Sequence, residues 1–364
     1  MTGANRLSGY AGPPPPELGI PYSKVGDGGV GSNYAIWHVP LAGGAPVKVT
    51  ADTANQQETP WVDPVGRDRL VYLQRILGGD LELHIINADG SGDTLIDPGH
   101  HRLLDWKPDG SKILFTTFNA GEFHQIFEIN PDGTGRTAIY SAASTDDTLN
   151  RAKYSPDGTM IAFIRSVFVA GPGHDFAEVW VMDSDGTNDL KLDDIYTEAS
   201  DNAVAWSPDG TRVAYGDAGN SFNTIGATQA GHWYAIDIDG SNKTDLGFQD
   251  SGASGADFAE ATLSRDCWTP DGTGIIIDSY WTNDQRWSLA RAEADGSGIS
   301  LLSPAFHEFD RPTIFFPENG RCYVHAYVEP VFSGTDLESV LPDGSDRRVE
   351  DDDSAVNILL EWFE

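Results

Sequence analysis

Cysteine is nearly missing from this chain of 364 residues, which carries only Cys267 and Cys322. Two cysteines exclude a disulfide-stapled scaffold, and their separation matches no zinc-ligand pattern, so two buried thiols are expected. Lysine is scarce as well: seven lysines help make up 23 basic residues against 56 acidic ones, for a formal net charge of -33. A surface of that sign repels phosphate backbones and excludes nucleic acid as a partner, because binding it requires basic side chains that displace condensed counterions. It predicts a self-repelling, salt-tolerant surface and leaves room for a divalent cation, calcium or manganese, or for a cationic partner. Long apolar runs are missing too. The most apolar stretch, IAFIRSVFVA at 161–170, is interrupted by Arg165, and Met1 to Pro16 contains no apolar run of signal length. The expectation is a soluble chain without membrane insertion or secretory leader, cytoplasmic or incorporated into an assembly such as a virion or phage tail.

What the chain has in quantity is glycine, 40 residues, and a globular share of hydrophobic residues, 39%, of which the aromatics make 10% of the chain. Six of those glycines fall in one recurring frame, an aromatic running into a turn: Trp61 (WVDPVG), Trp106 (WKPDG), Tyr154 (YSPDG), Trp206 (WSPDG), Trp268 (WTPDG), Phe315 (FFPENG) and, without a turn, Trp362. Successive spacings of 45, 48, 52, 62, 47 and 47 residues match propeller blades and not helical repeats. Each repeat has a second Asp-Gly turn, as ADG at 88–90, PDG at 131–133, SDG at 184–186, IDG at 238–240, ADG at 294–296 and PDG at 342–344. Between the turns lie short β-type runs such as KILFTT, MIAFIR and EVWVMD, which reads as four strands per repeat joined by hairpins. The predicted fold is all-β: a seven-bladed β-propeller of four-stranded antiparallel blades. AVNILLEWF at the C-terminus matches an innermost strand and IPYSKV near the N-terminus a second strand, so the two ends are expected to share one blade and close the ring. Residues 1–18, with Pro13 to Pro16, read as an extended arm ahead of a single propeller domain at 19–364.

The unit YSPDGTMIAFIR…VWVMDSDGTNDLKL at 154–192 resembles the TolB-like propeller repeat, and the resemblance covers nearly all of 19–364. It implies the fold and is nearly silent on function, since that family contains adaptors, protease-gating domains and polysaccharide lyases. Oligogalacturonate-lyase-type members hold a metal with several histidines, one of them just before the aromatic anchor. At the third residue before each anchor this chain has Glu58, Leu103, Arg151, Ala203, Arg265, Pro312 and Leu359, and no histidine.

Both turns of a repeat fall on one face of such a ring. The opposite face carries the connections that vary, at 165–177, 216–231 and 246–263, and function is expected there. Polar residues converging on the channel mouth make the candidate binding set Asp266, Asp310 and Arg311, joined by Tyr280, Trp281 and Arg286 as an aromatic and cationic patch for a sugar or protein. For a lyase, His100, His101 or His307 would take the proton α to a carboxylate while Arg151 or Arg265 steadied the enolate-like charge. Weaker metal candidates are His124 and His232, and the DSDGTND run, whose Asp183, Asp185 and Asp189 offer hard oxygen ligands without the terminal glutamate of a calcium loop. The favoured function is a noncatalytic interaction or structural module with a protein or glycan partner; a polyuronate lyase is the alternative.

Overall fold

The computed structural model describes residues 18–25, 34–40, 44–51, 53, 55–76, 81–99, 101–117, 123–145, 147–167, 176–196, 204–217, 232–246, 267–281, 286–301, 310–316, 321–327, 335–340, 348–351 and 358–359, with the backbone alone at 20, 24–25, 102–104, 196, 217, 232, 277–281, 286–289 and from 301 onward. Every regular element among them is a strand. The first sheet contains β1 (Ile20–Val25), β2 (Tyr34–Val39) and β3 (Val47–Lys48). The second contains β4 (Gln56–Val62), β5 (Arg69–Arg75), β6 (Leu81–Asn87) and β7 (Thr94–Asp97). In the third are β8 (His101–Trp106), β9 (Ile113–Thr117), β10 (Gln125–Ile129) and β11 (Thr137–Ser141), and in the fourth β12 (Thr148–Tyr154), β13 (Met160–Val167), β14 (Phe176–Asp183) and β15 (Leu190–Tyr196). The fifth has β16 (Val204–Trp206), β17 (Arg212–Asp217), β18 (His232–Asp237) and β19 (Thr244–Asp245). In the sixth, β20 (Gly274–Trp281), β21 (Arg286–Glu293) and β22 (Ile299–Leu301) are joined by a bridge from Trp268 to Ile275 where a first strand would lie. The seventh has β23 (Asp310–Phe316), β24 (Arg321–Tyr327), β25 (Thr335–Val340) and β26 (Arg348–Asp351). The last strand, β27 (Ile358–Leu359), returns to the first sheet and pairs antiparallel with β1, Ser23 opposite Leu359 and Lys24 opposite Ile358.

The apolar cores lie between successive sheets. One cluster joins Leu18, Ile36 and Val49 of the first sheet region to Leu70, Tyr72 and Ile86 of the second. Equivalent clusters join the second sheet to the third, the third to the fourth, the fourth to the fifth and the fifth to the sixth. The second to fifth sheets are therefore covered on both faces, which is why their strands read as near-continuous apolar runs, such as the fully buried Ile161, Ala162 and Phe163.

The anchor aromatics stitch one sheet to the one before it. Trp106 Nε1 donates to the Trp61 carbonyl at 2.9 Å, Trp206 Nε1 to the Lys153 carbonyl at 3.1 Å, and Trp268 Nε1 to the Ala205 carbonyl at 3.0 Å. A tyrosine has no indole N–H, and at Tyr154 the junction is rebuilt: its backbone N–H donates to Asp105 Oδ2 at 2.8 Å and its hydroxyl donates to Glu128. The second sheet departs from the expected frame. Its first turn closes from Asp63 N–H to the Arg69 carbonyl, one residue longer than the Ser155–Met160 or Ser207–Arg212 turns. Val62, not Trp61, consequently stands at the anchor position, packed toward the first sheet, while Trp61 packs toward the third. Leu18, the last residue of the predicted arm, is fully buried and its N–H donates to the Arg67 carbonyl at 2.7 Å; residues 1–17 lie outside the described residues.

Nine Asp-Gly turns share one geometry. The glycine (90, 110, 133, 158, 186, 210, 240, 272 and 296) has φ between 68° and 84° and donates its N–H to the carbonyl three residues back. The aspartate Oδ1 accepts the N–H of the serine or threonine two residues on, at 2.8 to 3.1 Å.

Candidate functional site

The first strands of the sheets carry a repeated irregularity. In β4, β8, β12 and β23 the register slips by one residue shortly before the anchor, between Glu58 and Trp61, Arg102 and Leu104, Asn150 and Lys153, and Pro312 and Ile314. Two bulge residues have left-handed backbone, Thr59 (φ 46°) and Arg151 (φ 56°), a conformation that costs a β-branched or long side chain of order 1–3 kcal/mol. Once the longer turn of the second sheet is allowed for, Thr59 and Arg151 are equivalent, and the position expected at Glu58 shifts to Thr59. Bulges re-aim side chains. Here they fall midway along the first strands, between the turns and the opposite strand ends.

Around those ends the described charges are paired. Glu58, 4% exposed, takes Arg75 in a two-point contact, Nε to Oε1 at 2.9 Å and Nη2 to Oε2 at 3.3 Å. Burial, and then the Glu58 charge, raise the pKa of neighbouring Tyr34. Beside them Thr50 accepts the Ile36 N–H at 2.8 Å and donates to Gln57. In the fourth sheet Arg165 Nη2 meets Asp147 Oδ2 at 2.7 Å and Arg165 Nη1 lies 3.7 Å from Glu178, which is 3.5 Å from Lys191; Lys191 in turn meets Asp194 at 2.7 Å. Such networks hold side chains in place and leave little uncompensated charge for polarising a substrate.

His101 does not face an opening. It is 1% exposed, its Nε2 lies 3.1 Å from the Asp97 carbonyl and 3.2 Å from Asp97 Oδ2, and its ring meets Phe115 edge-on at 4.8 Å. Asp97 also binds Arg136 at 2.9 Å, whose guanidinium lies 3.8 Å from the Phe127 ring centroid. The same device recurs one pair of sheets on. Asp193 accepts from Tyr215 at 2.5 Å and from Lys243 at 2.5 Å, and the Lys243 ammonium lies 4.0 Å from the Tyr234 centroid. Both cations sit three residues after a turn glycine, and both carboxylates are the fourth residue of the preceding outer strand. The sequence signal was present, but a lone basic residue after a turn is not distinctive until the neighbouring sheet is placed against it.

His124 is buried at 5% exposure ahead of β10, its carbonyl accepting the Ala142 N–H. Asp185 is committed to its turn, accepting Thr187 N–H at 3.0 Å and Oγ1 at 2.6 Å, and Asp183 accepts from Asn188 at 2.6 Å. Among the described residues no three histidine, cysteine, aspartate or glutamate side chains converge as a metal would require. Cys267 is a buried thiol. Arg151 is half-buried. The strand register places Tyr280 opposite Trp287, Trp281 opposite Arg286, His232 opposite Asp217, and Asp310 and Arg311 at the start of β23. His100, Arg265, Asp266, His307 and the central parts of the three variable connections lie outside the described residues. A cleft of about 450 Å³ opens on the turn side between the second and third sheets, with Asp63, Asp68, Asp109, Arg69 and the exposed Val65 in its wall.

With this geometry in place, the relatives can be compared. No family model matches the chain. A stretch of 104 residues, 28% of the chain, is 35% identical to 21% of the Tol-Pal system protein TolB of Gluconobacter oxydans. Another of 128 residues, 29% of the chain, is 25% identical to 30% of TolB from Shigella flexneri. The crystal structure of TolB from Acinetobacter baumannii superposes with a TM-score of 0.52 over 80% of this chain and 67% of that one, at 18% identity. The chain is TolB-like in its repeats and its β-propeller fold. It spans less than half the length of the curated relatives it matches. The TolB-like fold is shared more widely: an oligogalacturonate lyase in complex with manganese superposes with a TM-score of 0.61 over 91% of this chain and 85% of that one, at 10% identity. At that identity the likeness is one of fold alone. No helix of the described residues is long and apolar enough to cross a membrane.

Proposed function

We propose that this TolB-like chain is a noncatalytic, seven-bladed interaction module, a single domain whose ring is closed by β27 and β1 in one shared blade. Its variable connections face a protein or glycan partner within a larger assembly. The observation that carries this reading is the bulge of the first strands. The positions where a lyase of this fold would place its imidazole hold Thr59, Leu103, Arg151 and Pro312 instead. The carboxylates and cations beside Thr59 and Arg151 neutralise one another. A site of that kind recognises shape and hydrogen bonding and does not generate a base.

Photo-crosslinking residues placed at Phe123 or Phe176, both exposed beside the variable connections, should capture the partner; the same residue at Asp209 or Asp239 on the turn side should not. Absorbance of unsaturated product from polyuronates with added manganese tests the alternative, in which His100, His307, Arg151 or Arg265 act. Turnover lost in Arg151→Ala would overturn the module reading.

A further inference from the structure

His38, on β2, is 2% exposed and faces the start of β1. Its Nδ1 accepts the Gly19 N–H at 3.0 Å, so this nitrogen is unprotonated and the neutral ring carries its proton on Nε2. That Nε2 is buried, with no hydrogen-bond acceptor among the described residues. Gly19 is held tightly for a second reason: a Cβ there would stand 1.7 Å from the Val39 carbonyl oxygen, so the chain passes directly against β2. Arg67 completes the clamp, donating from Nε to the Leu18 carbonyl at 2.8 Å and from Nη2 to the Gly19 carbonyl at 2.9 Å.

We propose that His38 is an acid-sensitive latch: the neutral ring holds Gly19 and the start of β1, and protonation releases β1 together with its pairing to β27. A proton on Nδ1 turns the acceptor into a second donor facing the Gly19 N–H. It also places an imidazolium beside the Arg67 guanidinium, the charged group that bears on the ring. The other described neighbours offer no compensation. Pro21 and Val47 lie opposite His38 on the flanking strands, and Lys48 sits over the Trp37 ring, itself a cation. Burial first, and Arg67 second, hold His38 below the ordinary imidazole value. The unfolded strand then binds the proton more readily than the folded one. The latch is complete above about pH 6.5 and weakens as pH falls below that, until the folded value is reached.

Hydrogen exchange of the full chain at pH 7.5, 6 and 5, corrected for the intrinsic pH dependence of exchange, tests this. The β1 and β27 amides should open up to about tenfold more per pH unit below 6.5, while β13 and β14 stay unchanged. His38→Asn keeps an acceptor for Gly19 but does not titrate, and it should flatten the response. The NMR titration of the His38 ring in the unmodified protein should share its midpoint with the β1 release. Protection of β1 that does not change with pH, an unaltered response in His38→Asn, or a ring titration separate from the release would each overturn the latch.

Discussion

The indole N–H of an anchor tryptophan reaches the backbone of the preceding sheet, and no other aromatic side chain can supply that donor at the same depth. Trp206→Phe should leave the Lys153 carbonyl without its partner and cost about 1–3 kcal/mol, read from urea unfolding. Tyr154→Phe, which loses the hydroxyl bond to the Glu128 carboxylate, should cost about 1.5–3 kcal/mol by the same measurement, with the Asp105 bond to the backbone retained. The turn aspartates make a second residue-scale prediction. Serine or threonine hydroxyls, and then backbone N–H groups, hold Asp89, Asp109, Asp132, Asp157, Asp185, Asp209, Asp239, Asp271 and Asp295 below the ordinary carboxylate value, Asp271 to about 2. A depressed folded value means that the unfolded chain takes up the proton first. This contribution is present in full above about pH 4 and is lost as pH falls toward 2. Thermal melts should be level from these groups between pH 7 and 5 and should drop between pH 4 and 2. Replacing several of the nine by asparagine should shrink that drop.

At the scale of the element, the turns and bulges differ in what their neighbours allow. Gly186 and Gly240 have nearly the same φ, 84° and 81°. A Cβ on Gly186 would stand 2.0 Å from the Ile139 carbonyl oxygen of the preceding sheet, whereas one on Gly240 would meet nothing within 4 Å. Gly240→Ala should therefore cost only the backbone strain, about 1–2 kcal/mol, while Gly186→Ala adds displacement of a neighbouring strand and should cost more than twice as much. Calorimetric melts of the two variants make the comparison. Much of the turn chemistry was legible: DGSG at 89–92, DGTG at 132–135, DGTN at 185–188 and DGSN at 239–242 place glycine or asparagine at both left-handed positions. The one-residue misplacement at Trp61 arose because DPVGRD contains no Asp-Gly pair, and its left-handed residue is Arg67. The bulges were not legible, since Thr59 and Arg151 adopt their backbone under the pull of packed neighbours rather than by local preference.

For the whole molecule, the pairing of β27 with β1 sets Leu359 and Ile358 opposite Ser23 and Lys24, while the described cores link the first sheet through to the sixth. Deleting residues 355–364 should expose the inner edge of β1 and lower the melting temperature of the entire chain, not of the first sheet alone. Calorimetry of the truncated chain checks it, and a melt like that of the full chain would show that the pairing contributes little. The clamps Asp97–Arg136–Phe127 and Asp193–Lys243–Tyr234 act at this scale too, since each spans two sheets.

Repeat length, strand type and all but one of the described first-turn positions are properties of neighbouring residues along the chain, and periodicity with Asp-Gly chemistry was sufficient to determine them, while the acidic balance and the scarcity of cysteine follow from composition. Which side chains meet across strands and sheets was decided only by the tertiary structure. Examples are His101 buried against Asp97 and Phe115 rather than presented at a channel mouth, Arg75 neutralising Glu58, and His38 closing on Gly19. Even the short-range pairs among these depend on which sheet packs behind them, because burial sets whether an imidazole or carboxylate is a reactive group or a structural one.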